Sequence, residues 1–303
     1  MKNTKLNLSR IGLVANPEKP VWKSAIATAR ELIERTGRSV VHIDRAQTLE
    51  SFRTEGVDAI RETAARSDIL IVFGGDGTML HVARSLQGNP IPLLGINTGG
   101  LGFLTAAPVE ALETTLERVW KEELIHDTRP FIRSVVNQDA STELIAVNDI
   151  VISRGMASRM IELEVRVDGQ LLTHFRCDGF IISSPTGSTA YSLSAGGAIV
   201  SPNAKVFTLT PICPHTLSNR SVIVDMQANI EVSILSRDVE TVLTADGQKQ
   251  IDVAPHDRIQ IQSIPDQVNL LNLPENAFFN TLRQKMQWSG SHVSREEASH
   301  QVR

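Results

Sequence analysis

The densest chemical signal in the chain is Gly74-Gly75-Asp76-Gly77-Thr78, which follows the apolar run Ile69 to Phe73 and opens a helical stretch from Thr78 to Leu86. Three glycines let a backbone turn sharply and approach a ligand, and a helix start supplies free N–H groups and a positive dipole end. A phosphate suits that combination, with Gly74, Gly75, Gly77 and Thr78 forming the cradle. Asp76 does not belong in a plain anion site. A carboxylate there repels phosphate unless a hydroxyl or a cation needs it, so Asp76 points to a general base or a Mg²⁺-linked group. A tight turn whose Asp caps the helix would give the same pentapeptide with no chemistry. No Gly-Lys-Ser/Thr ending is present and no G-x-G-x-x-G follows the first strand, which sets aside the Walker A and Rossmann dehydrogenase patterns.

Two further segments offer polar groups. Thr189, Tyr191, Ser192 and Ser194 lie in a stretch rich in Gly and Ser, with Pro185 and three glycines around them, where hydroxyls and a close backbone can serve a polar ligand. The bland alternative is a loop that hydrogen-bonds only itself. Asn148-Asp149, taken alone, reads as a turn after the strand Leu144 to Val147. His81 reads as a packed or solvated helix residue, and Phe103 as either a neighbour of a base or core.

The elements that must position these groups fall into two kinds. Up to about residue 121, strands (Ile11–Val14, Val40–Ile43, Ile69–Phe73, Pro92–Ile96) alternate with helices (Val21–Arg35 ended by Gly37, Val57–Arg66, Thr78–Leu86, Val109–Lys121), which implies a parallel sheet covered on both faces. The period then changes. Ile161 to Val167 alternates apolar with polar ahead of an Asp168-Gly169 hairpin turn. Candidate strands at Ser221–Val224, Ile230–Leu235, Val239–Thr244, Gln248–Val253, Ile259–Gln262 and Val268–Leu273 recur at the spacing of an all-β sandwich. The expected fold class is thus an α/β domain with a parallel sheet over 1–125 and a β-sandwich over 126–274. A last helix, Ala277–Trp288, returns to the first domain as the 275–290 segment, and 291–303 forms a frayed tail.

Composition narrows the possibilities. The chain has 303 residues, 41% hydrophobic and 21% charged, enough for a sizeable core. A net charge of −4 argues against coating nucleic acid or an anionic membrane, so no nucleic acid and no membrane partner is expected. The apolar stretch after Met1–Arg10 is too short for a signal peptide, and no run reaches the roughly 18 residues a membrane helix needs. Cys177 and Cys213 lack metal-ligand spacing, no protein-held metal site is expected, and so few cysteines fit a reducing, cytoplasmic setting.

Gly74 to Thr78 resembles the signature shared by NAD kinases, diacylglycerol and sphingosine kinases and, more distantly, phosphofructokinases. Gly95 to Thr105, Asn148-Asp149, and Asp178-Gly179 through Ser183 to Gly197 narrow the resemblance, in order and spacing, to NAD kinases of bacterial type, from about Ile11 to Trp288. The resemblance implies an α/β domain and a β-sandwich with NAD between them. It also implies a phosphotransferase that moves the terminal phosphate of ATP, with Mg²⁺, onto the 2′-hydroxyl of the adenosine ribose of NAD. In the family the residue matching Asp76 accepts the hydroxyl proton and that matching Gly77 lies against NAD. Asn148 and Asp149 match an Asn-Glu pair that holds adenosine and ribose. Arg176, Asp178, Thr189, Ala190, Tyr191, Ser192, Leu193 and Ser194 match further NAD contacts, and Arg159 and Gln248 weaker ones. Family members resemble homodimers or homotetramers whose NAD site borrows residues from a neighbouring subunit. Two departures stand out: Asp149 where Glu is usual and Ser184 where Thr is usual. The competing readings are a lipid kinase, which would need an apolar acceptor pocket that the hydroxyl-rich Thr189–Ser194 segment does not resemble, and a non-catalytic NAD sensor, which would have no use for Asp76.

Overall fold

The computed structural model describes residues 8–18, 21–42, 48–54, 56–100, 102–156, 159–216, 220–274 and 278–288. The expected tail 291–303 lies outside them, as do Ile43 and Ala277. The first part of the chain runs β1 (Arg10–Ala15), α1 (Trp22–Glu34), β2 (Ser39–Val41), α2 (Leu49–Arg53), α3 (Gly56–Ala65), β3 (Ile69–Phe73), α4 (Asp76–Ser85), β4 (Pro92–Asn97), the two-residue β5 (Ala107–Pro108) and α5 (Leu112–Trp120). Strands β2-β1-β3-β4 pair in parallel. Side chains of β3 alternate between faces, and both faces are buried: Leu70 and Val72 pack with α3 and α4, while Ile69, Ile71 and Phe73 pack with α1 and α5. That is why β3 reads as an unbroken apolar run. Gly37, at φ +77°, ends α1, a conformation that Gly adopts without the Cβ penalty.

The rest is β-rich: β6 (Ile125–Val136), β7 (Asp139–Ala146), β8 (Asp149–Arg154), β9 (Ile161–Val167), β10 (Gln170–Cys177), β11 (Gly179–Ser183), a short helix α6 (Tyr191–Ser194), β12 (Val206–Ile212), β13 (Val222–Asp225), β14 (Ile230–Ile234), β15 (Thr241–Ala245), β16 (Lys249–Val253), β17 (Arg258–Asn272) and the closing helix α7 (Phe278–Lys285). One antiparallel sheet runs β13-β12-β11-β8-β15-β16. It packs face to face on β6, β9, β14 and the first part of β17, with Phe180, Phe207, Ile150, Leu163 and Ile261 among the fully buried residues between them. Asp168 and Gly169, at φ +50° and +77°, make the expected hairpin turn between β9 and β10.

Three expectations change. The strands expected at Ile259–Gln262 and Val268–Leu273 are one strand, β17, with an irregularity between Ile264 and Val268 around Pro265, where a residue without an N–H interrupts the ladder. The parallel sheet is one end of a larger mixed sheet, because β17 pairs in parallel with β4 at Asn269 and Leu270, antiparallel with β14 over Arg258 to Ile261, and antiparallel with β6 along most of its length. The helix expected from Val109 begins as a 3₁₀ turn, Val109–Ala111. Among the described residues no helix is long and apolar enough to cross a membrane.

Candidate active site

The Gly-rich turn leaves β3 and becomes α4, with Gly75 at the N-cap and Asp76 as the first helical residue. Gly74 is needed for packing, since a Cβ there would stand 2.4 Å from Thr78 Oγ1, whereas the space beside Gly75 is open. The Asp76 carboxylate caps no helix. Its Oδ2 accepts the Phe103 N–H at 3.0 Å and its Oδ1 the Leu104 N–H at 2.9 Å. A Cβ on Gly102 would meet Asp76 Oδ1 at 2.3 Å, so the loop after β4 closes down onto this carboxylate only because Gly stands there. Thr78 is buried, and its hydroxyl accepts from Asn16 Nδ2 at 3.4 Å.

From this turn a chain of contacts leads to the start of β8. Gln248 Nε2 donates to the Gly77 carbonyl at 3.1 Å. Arg84, two turns along α4, pairs with Asp246 and donates to Gln248 Oε1. Asp246 accepts the backbone N–H groups of Val147 (3.1 Å), Asn148 (2.7 Å) and Asp149 (3.2 Å). The next turn, Thr186–Thr189, lies hard against Asn148: a Cβ on Gly187 would be 2.1 Å from the Asn148 carbonyl oxygen. Ser184 donates its hydroxyl to the Val147 carbonyl and its N–H to that of Asn148. Thr186 and Thr189 then face Phe103, Phe278 and Arg129 across a cavity of about 380 Å³. Buried Asn148 Oδ1 and Thr186 Oγ1 have no hydrogen-bond partner, which is unusual for polar atoms out of water. Contacts thus link the turn Gly74 to Thr78, through Gln248, Arg84 and Asp246, to Asn148 and Asp149, and Asn148 to the Thr186–Thr189 turn, while Thr189 and Gln248 line different hollows.

Others stand apart or turn inward. Ser192 is fully buried and its hydroxyl bonds Thr210 at 3.2 Å. Tyr191 is 48% exposed, Ser194 is exposed, and Ala190 and Leu193 are half-buried. Arg159 and Arg176 border a separate hollow of about 620 Å³ with Glu162 and Arg237, and Asp178 pairs with Arg154 at 2.9 Å. Strand β10, which carries Arg176, is four places from β4 in the sheet order. His81 is a packed residue, its ring tilted against that of Phe52 and bonded to the Phe52 carbonyl. Burial, reinforced by Arg84, lowers its pKa to about 4, so it is neutral. Among the described residues no three His, Cys, Asp or Glu side chains gather as a metal-ligand group.

Arg84 and Asp246 are the members that reading the sequence passes over. Asp246-Gly247 is a hairpin signal, and its φ values of +51° and +61° match that role, but nothing local says the Asp will hold a segment 97 to 99 residues away.

Asp149 is buried. Burial first, and the neighbouring Asp246 second, push its pKa up to about 7. Unfolding returns it to an ordinary carboxyl near 3.8, so between about pH 4 and pH 7 the folded chain holds more protons than the unfolded one, and this group's contribution to stability falls as pH rises. Asp149→Asn removes that dependence. Its melting temperature relative to the parent is expected to be higher at pH 8 than at pH 5, and an equal difference at both pH values would refute the assignment.

Comparison with known proteins places this architecture. Residues 11–124 match the model of the ATP-NAD kinase N-terminal domain and residues 147–273 that of the ATP-NAD kinase C-terminal domain. The chain is 37% identical over 281 residues to the NAD kinase of Nitrosomonas eutropha, covering 92% of this chain and 95% of that protein. Among solved structures, yeast NADH kinase complexed with NADH superposes with a TM-score of 0.80 at 25% identity, covering 95% of this chain and 90% of that one. An NAD kinase from Archaeoglobus fulgidus in complex with ATP gives 0.70 at 28%, covering 93% and 100%. With both domain models matched in order and relatives alike over nine-tenths of its length, the chain belongs to the NAD kinase family.

Proposed function

We propose that this site transfers the terminal phosphate of ATP to the 2′-hydroxyl of the adenosine ribose of NAD, giving NADP, with Asp76 as the base. The observation that carries this reading is the linkage, through Gln248, Arg84 and Asp246, of the α4 N-terminus and the carboxylate at its first residue to the Asn148–Asp149 segment. The backbone of Gly74 to Gly77 and the positive end of α4 suit the donor phosphates, and the open space at Gly75 leaves room for them. Mg²⁺ arrives as part of the nucleotide substrate, neutralising its phosphates. Each Asp76 oxygen accepts one backbone N–H, which orients the carboxylate and leaves a lone pair for the attacking hydroxyl. Asn148, Asp149, Gly77, Gln248 and the segment Thr189 to Ser194 hold the dinucleotide. Catalysis here is positioning and electrostatics, with a proton removed at Asp76 as the oxygen attacks in line.

Arg159 and Arg176 border a separate hollow and Asp178 pairs with Arg154, which supports a homo-oligomer in which these residues complete a neighbouring copy's NAD site. Light scattering is expected to give a dimer or tetramer, and a fully active monomer would overturn this assembly. The function itself is tested by incubating the pure protein with Mg-ATP and either NAD or diacylglycerol and identifying the product. NADP is expected; NAD binding without turnover, or a phosphorylated lipid, would overturn the reading.

A further inference from the structure

We propose that Arg84 and Asp246 are positioning residues that set the Asn148–Asp149 segment at its working distance from Asp76 without touching substrate; the inference rests on the functional reading above. Asp246 lies in the β15–β16 turn with its side chain 0% exposed, and Arg84 on α4 with its side chain 8% exposed. The carboxylate receives three successive backbone N–H groups, those of Val147, Asn148 and Asp149. Such a concave run of amides around one anion fixes the path of the peptide, and with it where the Asn148 and Asp149 side chains leave the backbone.

Arg84 ties this arrangement to the turn. Its planar fork holds the Asp246 carboxylate with one nitrogen and Gln248 Oε1 with another, and Gln248 Nε2 reaches the carbonyl of Gly77, the residue after Asp76. Arg84 is eight residues beyond Asp76, roughly 12 Å along the same helix. Helix α4 is therefore gripped at its first turn and two turns later by one hairpin, and that hairpin also grips the segment at the start of β8. A pair of charges this deeply buried is a poor way to gain stability, since a well-packed apolar pair does as well or better. What the charges add is direction: an apolar pair could not orient three amides and a glutamine.

The test compares the parent with Arg84→Lys, Asp246→Asn and the double variant Arg84→Met with Asp246→Asn. Each single change leaves a charge poorly matched, but the double variant leaves none, so it keeps the question open to measurement if a single variant fails to fold. In the folded double variant, amide exchange at residues 147–149 is expected to speed up about tenfold or more. kcat/KM for NAD should fall about tenfold or more while KM for ATP is unchanged. Arg84→Lys, which keeps the charge but lacks the fork, should fall between. A folded double variant with parental kcat/KM and parental exchange at 147–149 would overturn the proposal. If the parent forms no NADP yet the variants' amides exchange faster, the functional reading is overturned while the clamp stands.

Discussion

Asp76→Asn is expected to lower kcat by about 10²-fold or more while NAD binding persists, the scale for losing a positioned base. The structure removes one rival explanation, because Asp76 makes no capping bond to α4 that Asn would have to replace. It introduces another. Both carboxylate oxygens accept backbone N–H groups of the loop after β4, and Asn must turn an NH₂ toward one of them. That mismatch costs about 1–2 kcal/mol, so a modest fall in melting temperature accompanies the substitution. If anchoring the loop were the whole role of Asp76, NAD affinity would decline along with kcat, because Phe103 and Leu104 border the same cavity. Measuring melting temperature, NAD affinity by calorimetry and kcat side by side separates the two. Parental kcat would sink the catalytic role.

Gly187→Ala is expected to cost about 3 kcal/mol or more of stability and to cripple NAD binding in whatever protein remains folded. The added methyl would lie 2.1 Å from the Asn148 carbonyl oxygen and 2.5 Å from its carbon, and neither is a side-chain tip that can swing aside. Either the Thr186–Thr189 turn or Asn148 must shift by about an ångström, and both belong to the proposed NAD site. Gly75→Ala provides the contrast. No atom lies within 4 Å of its would-be Cβ, and at φ −101°, ψ −170° the backbone suits any residue. Thermal melting should leave Gly75→Ala near the parent and Gly187→Ala far below it; equal melting temperatures would show that the 186–189 turn is more yielding than its packing indicates.

Sequence legibility follows the range of the forces involved. Strand β3 and the β9–β10 hairpin are plain in the residues because burial on both faces and an Asp-Gly turn act locally. The five-residue β11 is fully buried too, but it opens on Gly and runs into the Ser-rich segment, so its pattern resembles a loop. Pro265 hides the continuity of β17 for a similar reason. At the site, Asp76 is legible from its turn, whereas Asn148-Asp149 looks like an ordinary turn until Asp246, 98 residues from Asn148, is seen to hold it. Arg84 carries no local signal at all. The separation of Arg159 and Arg176 from Asp76 depends on strand order, which spacing along the chain does not encode.

Strand β17 spans the two halves of the molecule, lying between β14 and β6 over its first residues and between β4 and β6 over its last. Cutting the chain in the interval between the two matched family regions would therefore not yield two self-sufficient pieces. An excised N-terminal fragment would lose the strand that covers β4, leaving Leu93 and its neighbours with unpaired backbone on an apolar edge, the arrangement most prone to sticking to other chains. During synthesis the same holds: the first half waits, with that edge bare, until residues 268 to 272 leave the ribosome.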